Sequence, residues 1–283
     1  MSAEQLLSEG RLDEALAELK QRVRSDAANP KHRIFLFQLL AVVGDWERAY
    51  TQLEVAGDLD ASALAMVQTY REALRCEVLR AQIFAGKRSP LVFGDPEQWI
   101  ALLVEALELT AAGEHGKAAT LRDDAFGAAP ATAGMIDGQR FDWIADADQR
   151  LGPLLEAVIN GRYYWVPFHR IRTLRVEPPV DLRDLVWMPA NFTWANGGET
   201  VGLIPTRYPD SEANPDPRVR MARKTEWVEP TPGTYLAQGQ RMFATDAGEY
   251  PLMDVRLVQL ETGEAGRASE TADPGPDVTT SGG

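Results

Sequence analysis

The residues whose types and spacing could do chemistry are gathered in segment 137–169. Asp137, Asp142, Asp146 and Asp148 supply carboxylates, Tyr164 a phenol and His169 an imidazole. A histidine titrates near neutrality, so His169, with Asp142 and Tyr164 beside it, would suit the pocket of a small-molecule hydrolase. Asp146 and Asp148 also resemble a metal-binding acid pair. Simpler readings compete with both. Phe141, Ile144, Ala147, Leu151, Leu154, Leu155, Val158 and Ile159 recur at helical spacing, which predicts one helix through the segment. On a helix, residues two apart point in different directions, so Asp146 and Asp148 would not chelate one ion. Asp142 and Asp146 share a face, placed to pair with Arg140, Arg150 or a basic strand further on. The aromatics Phe141, Trp143, Tyr164, Trp165 and Phe168 are read as an interdomain core in preference to a ligand cage.

Elsewhere the chain offers little for catalysis. His32 and His115 each stand apart from any His or Cys at ligand spacing. The glycines around His115 lack the spacing and the Ser or Thr of a phosphate-binding loop. Neither a nucleophile elbow nor a dinucleotide fingerprint is present. Cys76 is the only cysteine and lies within a helical pattern, as expected of a core thiol. The sequence therefore predicts no catalytic residue, no metal site and no cofactor.

The elements that position these residues divide the chain. Gly10 and Gly44 open matching segments 34 residues apart, each with an alanine five positions on, and Gly113 opens a third. That period resembles tetratricopeptide repeats, in which the glycine ends one helix and the small alanine lets the next pack closely. Between the second and third units, residues 62–85 predict one long helix. After Gly161, apolar runs at 163–166, 174–176, 185–188, 201–204 and 255–260 alternate with turn residues, which predicts strands. The expected class is α+β. Its domains would be a TPR-like helical repeat at 1–135, a linking helix at 136–161, a smaller β-rich domain at 162–260 and a disordered acidic tail at 261–283.

A formal net charge of -13 argues against nucleic acid or an anionic membrane as a partner. The arginines at 170–175 and 218–223 read as solvated faces paired with acids. Without a leader, a spanning segment or a second cysteine, the sequence is that of a cytoplasmic protein.

Several blocks resemble the ImpE family, also called TagJ or SciE-type proteins. They are Asp137-Gly138, residues 141–146 and 150–153, Glu156, Asn160-Gly161 and residues 163–168, supported by residues 10–16 and 187–190. The resemblance implies a non-enzymatic accessory protein of a bacterial type VI secretion system. It further implies binding to the N-terminal helix of the small contractile-sheath subunit, and a link to recycling by a sheath-disassembling AAA+ ATPase. The alternatives are the hydrolase around His169 and a general peptide-binding TPR adaptor. If a partner helix enters the repeat groove, register places Lys31, Ile34, Gln38 and Ala41 against it, with Ile100 and Leu103 as their equivalents in the third unit. The competing expectation is that the chain's own C-terminal half fills this groove.

Overall fold

Gly10, Gly44 and Gly113 adopt φ of +77°, +77° and +79° in the computed structural model, which describes residues 1–262. Only glycine holds that left-handed conformation without steric cost, so each ends a helix and reverses the chain. Gly10 joins α1 (Ala3–Ser8) to α2 (Leu12–Ser25), and Gly44 joins α3 (Pro30–Val42) to α4 (Trp46–Leu59). Then comes the single long helix α5 (Leu64–Phe84), and Gly113 joins α6 (Gln98–Ala111) to α7 (His115–Ala128). Ala15, Ala49 and Ala118 are completely buried where the paired helices meet. Asn29 caps α3 by accepting from the Lys31 amide at 3.1 Å, and Pro30 starts that helix where its missing N–H costs nothing.

The strands are β1 (Leu91–Val92), β2 (Gly134–Ile136), β3 (Gln139–Phe141), β4 (Ile144–Asp146), β5 (Leu154–Ile159), β6 (Arg162–Pro167), β7 (Ile171–Val176), β8 (Trp187–Trp194) and β9 (Glu199–Pro205). A short helix, α8 (Pro217–Arg220), precedes β10 (Thr225–Thr231), β11 (Thr234–Gly239), β12 (Met242–Thr245), β13 (Gly248–Pro251) and β14 (Leu257–Leu260). Nine strands form one sheet in the order β1-β6-β5-β9-β8-β7-β14-β2-β3. The β1–β6 pair is parallel, and each other neighbouring pair in this sheet is antiparallel. Strands β13-β12-β4 form a second sheet, and β10-β11 a hairpin.

Side chains alternate across the large sheet. Leu154, Val158, Tyr163, Trp165, Trp187 and Leu203 pack on the helices in one core. Leu155, Ala157, Val166, Phe168, Phe192 and Ile204 form a second core on the other face. The helices therefore cover one side of the sheet, and the smaller strands close the other.

Residues 136–161 are strands, not a linking helix, and the β-rich part begins at Gly134. Apolar residues recur in β5 because both of its faces are buried, and such a run fits helical and strand periods equally well. Turn chemistry decides between them. Asp137-Gly138 and Asn160-Gly161, all at positive φ, close the hairpins β2–β3 and β5–β6. The β-rich part is accordingly about as long as the helical part rather than smaller. Of the expected acidic tail, Glu261 donates its amide to Ala133 O at 2.9 Å, and residues 263–283 lie outside the described residues.

Gly239 links the hairpin to the rest of the fold at φ +93°, and a Cβ there would lie 1.9 Å from the Lys224 carbonyl oxygen. Backbone cannot yield as a flexible side chain can. Gly239→Ala should lower stability by more than about 2 kcal/mol, measured by urea denaturation.

Candidate functional site

Buried charge is concentrated where the helices meet the sheet. Arg80 lies on the buried face of α5, and its Nε and Nη2 donate to Glu156 of β5 at 2.6 and 3.0 Å. Arg241 closes on Glu156 from the other side and also pairs with Asp146 of β4. Tyr163 donates to Glu156 and accepts from Trp165 Nε1 at 2.9 Å. Glu77, one turn before Arg80, accepts from Trp187 Nε1 at 2.9 Å. Asp148 pairs with Arg150 at 2.5 Å and takes the Ala237 amide at 2.9 Å, which fastens β11 to the loop after β4.

Arg207 makes a second lock. It donates to Val42 O at 2.7 Å at the end of α3, to Ala41 O at 3.3 Å beside the Gly44 amide, and also to Arg220 O. A cation at a helix C-terminus is doubly favourable, since it satisfies free carbonyls and opposes the dipole.

Burial raises the pKa of a carboxylate, and neighbouring cations lower it. At Glu156 burial pushes upward, yet Arg80 and Arg241 with their hydrogen bonds hold the group down at about 2. At Asp146 burial prevails over Arg241 and lifts the group to about 6. Burial also pushes the Cys76 thiol up to about 12. Both Glu156 oxygens are occupied by donors, so this carboxylate holds structure and cannot accept a proton from a substrate. Among the described residues, no group of three or more His, Cys, Asp or Glu is placed to hold a metal ion.

The three residues of the hydrolase reading each engage a different partner. His169 Nε2 lies 3.1 Å from Glu97, Tyr164 packs edge-on against Phe93, and the Asp142 amide donates to Asp246. No hydrogen bond or ion pair among the described residues joins any two of the three. Asp146 and Asp148 are connected only through the Asp148 amide, and each carboxylate has its own arginine.

Of the aromatics expected between the domains, Trp165 meets the helices, with its ring 6.3 Å from that of Phe84. Phe141 and Phe168 belong instead to the core on the far side of the sheet, and Tyr164 packs against its margin. Trp143 is 41% exposed and is not a core residue. It lies in the link between β3 and β4, whereas its grouping with the other aromatics had placed it between the domains.

The groove positions have a similar outcome. Gln38, Ala41, Ile100 and Leu103 are buried in the chain's own core, and only Lys31 and Ile34 of the six reach solvent. Residues of the C-terminal half pack on α3, α4 and α5. Trp187 stacks near Trp46 and Tyr70 at 6.0 and 5.7 Å, and Arg207 seals the end of α3. Register read along the helices alone cannot anticipate a sheet packed against them.

Sequence reading missed Arg80, Glu156, Arg207 and Arg241. Two of these did leave a signal. Glu156 interrupts an apolar run, and Glu77 and Arg80 fall on the apolar face of α5 with Leu74 and Ile83. A charge in such a place calls for a buried counter-charge.

Helices on one face of a mostly antiparallel sheet, joined by buried charges that are ion-paired or hydrogen-bonded, define an α+β scaffold. The ImpE protein family matches residues 138–259. The chain is 54% identical over 94% of its length to a Pseudomonas aeruginosa protein named type VI secretion system accessory component TagJ, covering 93% of that relative. A crystal structure of a Vibrio parahaemolyticus protein superposes with a TM-score of 0.85 at 25% identity, covering 93% of this chain and 98% of that one. The chain belongs to the ImpE family.

Three measurements check the buried groups. Glu156 is held below its ordinary 4.5, so its contribution to stability is present above pH 4.5 and lost as pH falls toward 2. Asp146 has the opposite sign, favouring the fold below pH 3.8 and losing that contribution as pH rises through about 6. Glu156→Gln should cost about 3–5 kcal/mol at pH 7 by leaving two buried arginines undercompensated. It should also flatten the acid limb of the curve of thermal midpoint against pH. Cys76 should resist a maleimide at pH 8 in the native chain and react fully in denaturant, followed by mass spectrometry.

Proposed function

We propose that this chain is a cytoplasmic accessory component of a type VI secretion system and acts by binding, not by catalysis. Its partner is the small subunit of the contractile sheath, engaged through that subunit's N-terminal helix, and the complex serves sheath assembly or AAA+-driven recycling. The observation that carries this reading is the similarity to the TagJ relative along nearly the whole of both chains. The buried network supports it, because its acids and bases are used up in holding the layers together. Among the described residues, no helix is long and apolar enough to cross a membrane.

Leu103 is buried in the chain's own core and is a folding residue, and its replacement by Asp would unfold the helical layer rather than probe binding. Of the predicted groove surface, Lys31 and Ile34 stay accessible.

The immobilised chain should retain a purified sheath small subunit and release a version lacking the N-terminal helix, with binding measured by calorimetry. Equal retention of both forms would move the contact to another part of the subunit, and retention of neither would remove the sheath as partner.

A further inference from the structure

Trp143, which the sequence placed in the core, stands at the lip of an open apolar cleft between the end of α7 and strand β4. The cleft has a volume of about 440 Å3 and is lined by Phe126, Pro130, Ala131, Pro153 and Ala244, among others. Its walls are built, not incidental. Gly152 takes φ +53°, and a Cβ there would come within 2.2 Å of the Phe126 ring, so that glycine lets the ring pack against the turn between β4 and β5. The Trp143 turn is pinned by Asp246 Oδ1, which accepts the amides of Asp142 at 2.7 Å and Trp143 at 3.4 Å.

The charged side chains that flank Trp143 itself are acidic. Asp142 and Asp246 flank Trp143, and Asp123 lies one helical turn before Phe126. None of the three forms an ion pair among the described residues, and the lining contains no Lys or Arg. The lining does include Asp146, but Arg241 and Tyr208 already engage it. An exposed indole over an apolar cavity of this size suits one or two bulky side chains, and an unpaired acidic rim suits lysine and arginine around them.

We infer that the Trp143 cleft docks a basic amphipathic segment of a protein partner, with a bulky apolar side chain in the cavity and cations against Asp123 and Asp142. The inference rests on the accessory reading above and gives its binding site and the charge of the segment bound. The chain's own residues 263–283 are a poor match, since Glu264, Glu270, Asp273 and Asp277 outweigh Arg267.

Two probes separate this inference from the reading on which it rests. The first is a synthetic amphipathic helix with lysines on one face and leucines and a phenylalanine on the other, compared with its glutamate counterpart. The lysine peptide should bind the full chain and protect residues 126–131 and 143–147 from hydrogen exchange, while the glutamate peptide should not. Trp143→Ala should weaken it at least tenfold, Trp143→Phe by less, and Asp123→Lys with Asp142→Lys should abolish its salt dependence. Absence of protection at the cleft, or affinities within twofold of the unmodified chain, would overturn the inference. Binding only to a chain ending at Thr262 would overturn it too, since the C-terminal segment would then be the occupant. The second probe is the purified sheath small subunit. If it fails to bind while the lysine peptide protects the cleft, the sheath reading falls and the cleft stands. If it binds with equal affinity to Trp143→Ala, the sheath reading stands and the cleft falls.

Discussion

Glu156 carries a negative charge in the middle of a strand whose neighbouring side chains are apolar, and it does so because two guanidinium groups close on it. Arg80 comes from the helical layer, while Arg241 comes from the loop between β11 and β12. Neither cation could be buried alone, since the cost of taking one charge out of water exceeds what packing returns. The three groups therefore form only when helices, large sheet and small sheet are assembled together. Tyr163, Trp165 and Trp187 extend the network with hydrogen bonds that leave their rings free to fill the core.

This dependence explains why two regions distinct in sequence form a single structure. A helical repeat normally leaves one concave side for a partner, and a half-covered sheet leaves one face for a second layer. Here each region supplies what the other lacks. Trp187 enters beside Trp46 and Tyr70, and Arg207 satisfies the Val42 carbonyl at the end of α3. An ion-pair network of this kind adds little net stability compared with apolar packing, but it penalises every misaligned arrangement heavily.

The block at 137–168 contains both the success and the failure of reading residues in order. Its aspartates and aromatics identify the family, and its Asp-Gly and Asn-Gly pairs mark real reversals. Its apolar spacing suggested a helix because β5 is buried on both faces and leaves no polar alternation to reveal a strand. Trp143 was misplaced for a separate reason, its grouping with the buried aromatics, and it lies exposed at the cleft in the link between β3 and β4.

Local chemistry determined what the sequence made legible. Glycines at positive φ ended the helices, buried alanines fixed their pairing, and the lone cysteine in an apolar helix face became an inert core thiol. These features depend on a few neighbouring residues, so they survive without knowledge of the fold. The packing of the sheet on the helices, the partners of Glu156 and the exposure of Trp143 depend on residues as far apart as Arg80 and Arg241. Pairing a buried charge is a three-dimensional requirement. A sequence can announce that Glu156 needs a counter-charge, but only the tertiary structure selects which arginines provide it.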